Sequence, residues 1–155
     1  MPDTRLLLIS RDDILRVMKQ EQGEALFRQL ATLTRQGLHL LATAAQPDKW
    51  LGEHGSPDDA LLGPESIRRR LSDAGGALDG VYYVRRSLLT QKRNREDALR
   101  DILERYAIKP QGCVLFSSHQ KFVQAAARLG IRTSLLRPEA DLLEALKGVE
   151  GKYAE

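Results

Sequence analysis

The chain has 155 residues, 42% hydrophobic and 29% charged, with 24 Lys and Arg against 21 Asp and Glu and a formal net charge of +3. That is one domain's worth of chain with enough apolar residues for a core, which excludes a wholly disordered protein, and the charge is milder than a dedicated nucleic-acid binder carries. No apolar run approaches the roughly 18–20 residues of a membrane span, and the single cysteine, Cys113, excludes an internal disulfide framework or a multi-cysteine zinc site.

Strand-like and helix-like segments alternate along the chain. Leu6 to Ile9 is a short apolar run of the kind buried on both faces of a parallel sheet. Glu24 to Gln36 carries Ala25, Leu26, Leu30 and Leu33 at helical spacing and stops at Gly37. Leu38 to Thr43 is a second apolar run. Pro47 to Gly63 is rich in Pro, Gly and acidic residues and reads as a loop, with Trp50 near its start. Pro64 suits the first position of a helix that aligns Ile67, Leu71 and Ala74 and ends at Gly75-Gly76. Gly80 to Val84 is β-branched and aromatic, a third strand whose Tyr82 and Tyr83 are expected to be exposed and able to serve an interface.

Glu96 to Tyr106 is the clearest helix. Leu99, Ile102, Leu103 and Tyr106 form its stripe, and Glu96 with Arg100 and Asp101 with Arg105 are favourable pairs four residues apart. Gly112 to Phe116 is a fourth strand. Gln120 to Leu129 is a helix with Phe122, Ala125 and Ala126 inward, capped by Gly130. Ile131 to Leu136 is a fifth strand and Ala140 to Lys147 a last helix. The expectation is a single α/β domain over 1–147, with 148–155 a flexible tail.

Five strands separated by helices predict parallel pairing, right-handed crossovers and a three-layer sandwich of Rossmann-like type. Ligands of such sheets bind beyond the carboxyl ends of the strands. That rule singles out Ser10 to Asp13, Thr43 to Gln46, Arg85 to Lys92 and Ser117 to Lys121. The start of the chain shows no charged segment leading into an apolar one, and the expected compartment is the cytoplasm.

Several motifs fall at these strand ends. Leu6-Leu7-Leu8-Ile9 runs into Ser10-Arg11-Asp12-Asp13. Leu41-Ala42-Thr43-Ala44-Ala45-Gln46 closes the second strand. Leu78-Asp79-Gly80-Val81-Tyr82-Tyr83 opens the third. Lys92 lies near the start of a helix, and Val114-Leu115-Phe116-Ser117-Ser118 leads through Phe122 to Arg128-Leu129-Gly130. In order and spacing, over about Leu6 to Leu136, this resembles the haloacid-dehalogenase-like superfamily, and within it the histidinol-phosphate and heptose-bisphosphate phosphatase group. The resemblance implies a five-stranded parallel sheet with no large cap domain.

It also implies a reaction centre whose carboxylates are missing here. Phosphoryl transfer of this type uses an attacking carboxylate, an acid/base carboxylate two residues on, magnesium held by carboxylates, and a lysine and hydroxyl that steady the phosphate. In this chain the nucleophile position is Ser10, and the metal positions are Ser118 and Phe122. Asp12 is retained at the acid/base position, Asp13 replaces a glycine, and the zinc-binding cysteine loop of some relatives is absent between Val84 and Gln91. The phosphate-holding half survives as Thr43, the backbone N–H of Ala44, and Lys92, with Ser10 and Ser118 as added donors.

Each residue also has a plainer reading. Ser10 suits a packed strand end, Asp12 a helix N-cap, Thr43 a satisfied β-branched position, and Lys92 and His119 a solvated surface. Cys113, inside a strand, reads as an inert buried thiol. The leading expectation is a catalytically inactive, phosphatase-like module that binds a protein partner or a phosphorylated small ligand, with no cofactor. One alternative is an active hydrolase using magnesium, with Asp12, Asp13 and Asp48 as its carboxylates. Another is a nucleic-acid-associated protein using Arg68 to Arg70 and Arg85 to Arg95. No membrane partner is expected.

Overall fold

The structure, a computed structural model, describes residues 4–19, 23–45, 67–84, 91–137 and 142–154. Its elements are β1 (Leu6–Ser10), α1 (Arg11–Met18), α2 (Gly23–Arg35), β2 (His39–Ala45), a helical segment α3 over 67–73, β3 (Gly80–Val84), α4 (Gln91–Tyr106), a 3-10 turn (Pro110–Gly112), β4 (Cys113–Ser117), α5 (Gln120–Arg128), β5 (Arg132–Leu135) and α6 (Leu142–Ala154). All five strands are parallel, in the spatial order β3-β2-β1-β4-β5. The three-layer α/β architecture expected from the alternating pattern is the one observed.

Strand pleating divides the core in two. Leu7, Ile9, Leu40, Ala42, Val114 and Phe116 face one layer, where α1, α2, α3 and α6 supply Ile14, Leu30, Leu71 and Leu146. Leu6, Leu8, Leu41, Cys113 and Leu115 face the other, where α4 and α5 supply Leu99, Ile102, Phe122 and Ala126. Every residue of β1 is buried, as a central parallel strand requires. Gly37 and Gly130 end α2 and α5 with φ of +100° and +91°, the left-handed geometry that a side chain resists.

Four expectations need correction. The sequence reading has no helix between β1 and Glu24, yet α1 begins directly after Ser10, with Ile14 and Val17 buried three residues apart. The last helix does not stop at Lys147; it continues to Ala154, and Val149 is buried in the first core layer. β2 extends two residues past Thr43, to Ala45. Tyr82 and Tyr83 are half-buried, not exposed. The Tyr82 hydroxyl donates to Asp101 at 2.5 Å, and the Arg105 guanidinium lies 5.8 Å from its ring centroid. The loop read over 47–63, with Asp48 and Trp50, lies outside the described residues.

Gly76 marks the closest approach of α2 to the segment after α3. A Cβ there would sit 2.6 Å from Ala31 Cα, 2.8 Å from Leu71 Cδ1 and 2.9 Å from Thr34 Oγ1, whereas one on Gly80 would meet nothing within 4 Å. Urea denaturation should therefore separate the two glycines. Gly76→Ala is expected to destabilise by about 1–3 kcal/mol, and Gly80→Ala by less than about 0.5 kcal/mol.

Candidate functional site

Because the chain adds β2 on one side of β1 and β4 on the other, the crossovers diverge at the carboxyl ends of β1 and β4. That divergence opens a crevice, as in other doubly wound sheets. Register decides what lines it. Ser10 pairs with Thr43 across β1 and β2, and Ile9 with Phe116 across β1 and β4. One residue further along, Ser117 stands beside Ser10, and their hydroxyl oxygens are 2.5 Å apart. Thr43, Ser10 and Ser117 thus form a row of buried hydroxyls across three adjacent strands. The Ser117 oxygen also accepts the His119 N–H at 3.0 Å.

Two further contacts stitch the start of α1 to the β4–α5 turn. Asp13 is fully buried, and its Oδ2 accepts the Ser118 N–H at 2.9 Å. Its Oδ1 lies 2.8 Å from Arg16 Nη2, a charge contact without hydrogen-bond alignment. Asp12 and His119 meet at the surface, Oδ2 to Nε2, at 3.5 Å, each side chain 57% exposed. Their pairing raises the His119 pKa and lowers that of Asp12, in both cases against the effect of burial. Cys113 is buried, and burial pushes its thiol up to about 12, the inert thiol that its strand position predicts.

Beyond the hydroxyl row lies a cleft of about 440 Å³. Its described lining is Ser10, Thr43, Ala44, Ala45 and Val84 from the sheet, Arg95 from α4, and His119, Gln120, Lys121 and Phe122 from the start of α5. None of these is a carboxylate. Among the described residues nothing forms an ion pair or hydrogen bond with the side chain of Arg95 or Lys121. The first turns of α4 and α5 hold no acidic residue, whereas those of α1, α2 and α6 do. A helix start carries partial positive charge and normally draws acids. Neither helix supplies that acid from its own first turn; at α5 the acids beside the start come from α1, Asp12 at His119 and Asp13 at the Ser118 N–H.

The sequence candidates distribute unevenly over this geometry. Ser10, Thr43, Ala44 and Phe122 line the cleft. Ser118 instead meets Asp13 through its backbone, and its neighbour Ser117 supplies the hydroxyl beside Ser10. Lys92 falls within α4, but its side chain lies outside the described residues, and the α4 cation at the cleft is Arg95. His119, read as plain surface, is a lining residue paired with Asp12. Ser117 and Arg95 were missed as individual residues. A hydroxyl closing the apolar run Cys113 to Phe116, as Ser10 closes Leu6 to Ile9, was the available signal. In the basic run Arg68 to Arg70, Arg70 bonds the Met18 carbonyl at 3.2 Å and stacks over Phe27.

Solved structures share this architecture. The chain is similar to an uncharacterized protein from Corynebacterium glutamicum (TM-score 0.63, 15% identity, 96% of each chain covered). It is similar to the D,D-heptose 1,7-bisphosphate phosphatase from B. bronchiseptica, complexed with magnesium and phosphate (TM-score 0.61, 17% identity, 84% of this chain and 79% of that one). The D,D-heptose 1,7-bisphosphate phosphatase from Burkholderia thailandensis aligns with a TM-score of 0.51 at 18% identity, over 83% and 76%. The fold is the one these heptose-bisphosphate phosphatase structures show. No protein-family model matches the sequence, and no curated protein is similar to it.

The haloacid-dehalogenase fold implies magnesium, and the donor set tests that implication. Magnesium takes hard, mostly anionic oxygen ligands. The strand-end positions here hold neutral Ser10, Ser117 and Ser118, with Phe122 beyond. Asp13 is sealed by Arg16 and Ser118, and Asp12 is turned to His119. Among the described residues no three His, Cys, Asp or Glu gather. This set does not fit a magnesium site. Nor is any described helix long and apolar enough to cross a membrane.

The two aspartates should behave differently. Asp13→Ala strands a buried N–H and leaves Arg16 without its charge partner, and should lower stability by about 2–3 kcal/mol in urea melts. Asp12→Ala should cost less than about 1 kcal/mol, because its partner is solvated. The pH response follows from the two shifts. The His119 pKa is raised on folding, so its contribution is complete below pH 6.5 and lost as pH rises through the raised value. That of Asp12 is lowered, so its contribution is present above pH 3.8 and lost as pH falls through the lowered value. Urea midpoints of His119→Gln, compared with the parent, should lose the decline seen above pH 6.5.

Proposed function

We propose that this chain is a catalytically silent, phosphatase-like module that binds a phosphorylated small ligand without hydrolysing it. The observation that carries the reading is Ser10, a neutral hydroxyl bonded to Ser117 where the related reaction needs an attacking carboxylate, with Ser118 and Phe122 at the metal positions. A serine hydroxyl attacks only with a general base beside it, and the hydrogen-bond partner of Ser10 is another serine. Donors for an anion are in place. They are the hydroxyl row, the opening turn of α5, and the Arg95 and Lys121 cations. A structural neighbour complexed with phosphate supports the choice of anion. The cleft volume, about 440 Å³, suits a small ligand better than a protein face. In this reading the module works with no cofactor, as a sensor or regulatory subunit.

Calorimetric titration with inorganic phosphate tests binding. Binding should be measurable, and Arg95→Ala or Lys121→Ala should weaken it by about three- to tenfold, the range of one charge-assisted contact. A p-nitrophenyl phosphate assay with magnesium should show no release above the buffer blank. Magnesium-dependent release that disappears in Ser10→Ala would overturn the silent reading.

A further inference from the structure

We infer that the ligand of this cleft is a phosphomonoester with an apolar body, aryl or alkyl, and not the phosphate of a polyol; this rests on the non-hydrolytic anion-binding reading above. The cleft is too large for the anion alone. At about 440 Å³ it falls in the range of sites that enclose a small organic molecule.

What surrounds the remaining space sets the chemistry of the body. Ala45 of β2 pairs in register with Val84 of β3, two residues beyond Thr43 in the same strand. At ~3.3 Å per strand residue, that apolar pair begins about 7 Å from the hydroxyl row, roughly the span of a phenyl ring. Ala44 adds a second small side chain, and Phe122 closes the α5 side. Phe122 occupies a position that the family resemblance assigns to a metal carboxylate. The substitution therefore removes a charge from the cleft and adds an apolar wall.

A polyol would meet poor partners here. Each sugar hydroxyl that leaves water needs an acceptor, or its desolvation is uncompensated. The described lining holds no carboxylate, and the Ser10 hydroxyl shares its hydrogen-bonding capacity with Ser117. Ser10, Thr43, Gln120 and, when neutral, His119 are the side-chain acceptors among the described lining residues, few for the several hydroxyls of a polyol. Arg95 and Lys121 donate only, so they suit the phosphate and do nothing for hydroxyl protons. An alkyl or aryl body makes no such demand, and gains by leaving water against Ala45, Val84 and Phe122.

Calorimetry on the full chain with inorganic phosphate, phenyl phosphate and glucose 6-phosphate decides the matter. Phenyl phosphate should bind at least about tenfold more tightly than inorganic phosphate, the gain for burying part of one ring. It should also bind more tightly than glucose 6-phosphate. Val84→Asn should shrink the phenyl-to-inorganic ratio toward one. Inorganic phosphate that binds with no phenyl gain, or a sugar phosphate that binds as well as the aryl ester, overturns this inference and leaves the anion-binding reading standing. If none of the three binds, both fall.

Discussion

Parallel strands β1 and β4 end side by side, and the register that aligns Ile9 with Phe116 brings the next residues, Ser10 and Ser117, to 2.5 Å. The crevice rests on this contact. Two carboxylates so close would repel unless a cation or a proton lay between them. Two hydroxyls need neither, since each both donates and accepts. The strand ends therefore meet directly, buried and neutral, with Thr43 completing the row on the far side. The His119 N–H anchors the Ser117 oxygen and leaves the hydroxyl protons to orient along the row.

Around that neutral floor the charge is segregated. The acids that follow β1 are both engaged by neighbouring groups. Asp13 is buried under the β4–α5 turn, where it holds the Ser118 N–H, and Asp12 is drawn to His119. The cations that face the cleft, Arg95 and Lys121, come from helices whose first turns lack acids. Glu96, one residue from Arg95, is instead paired with Arg128 at 2.8 Å, which ties α4 to the last turn of α5. Among the described lining residues the charged side chains are cations and none is a carboxylate, a setting that suits an anion better than a divalent cation.

Much of this was legible in the sequence because it is local. The five apolar runs, the glycine stops and the amphipathic stripes of α2, α4 and α5 follow from period and turn chemistry over ten or so residues. That Ser10, Ser118 and Phe122 carry no charge was legible from the residues themselves, and the positions they would hold in the family motif from order and spacing along the chain. Less local features were not. Helix α1 is only eight residues long and follows the strand without a loop, so its start signal, Ser10 as N-cap with Asp12 and Asp13 in the first turn, was read as part of the strand-end motif. The extension of α6 past Gly148 depends on Val149 finding a place in the first core layer, which periodicity alone does not supply. For α4 the motif gave a cation near the helix start, Lys92, and the cation that the described residues place at the cleft is Arg95, three residues on.

The sequence by itself determined the strand count, the parallel α/β class and which residue types stand at the strand ends, because these depend on patterns within single elements and on the chirality of their connections. Only the tertiary structure decided which strand ends touch. Ser10 and Ser117 are 107 residues apart, as Asp13 and Ser118 are 105 apart, and neither pair shares a local signal. Their contact is set by the register of β1 against β4, which the two core layers fix by burying alternate side chains on opposite faces. A shift of one residue would reverse every face, and with it the hydroxyl row.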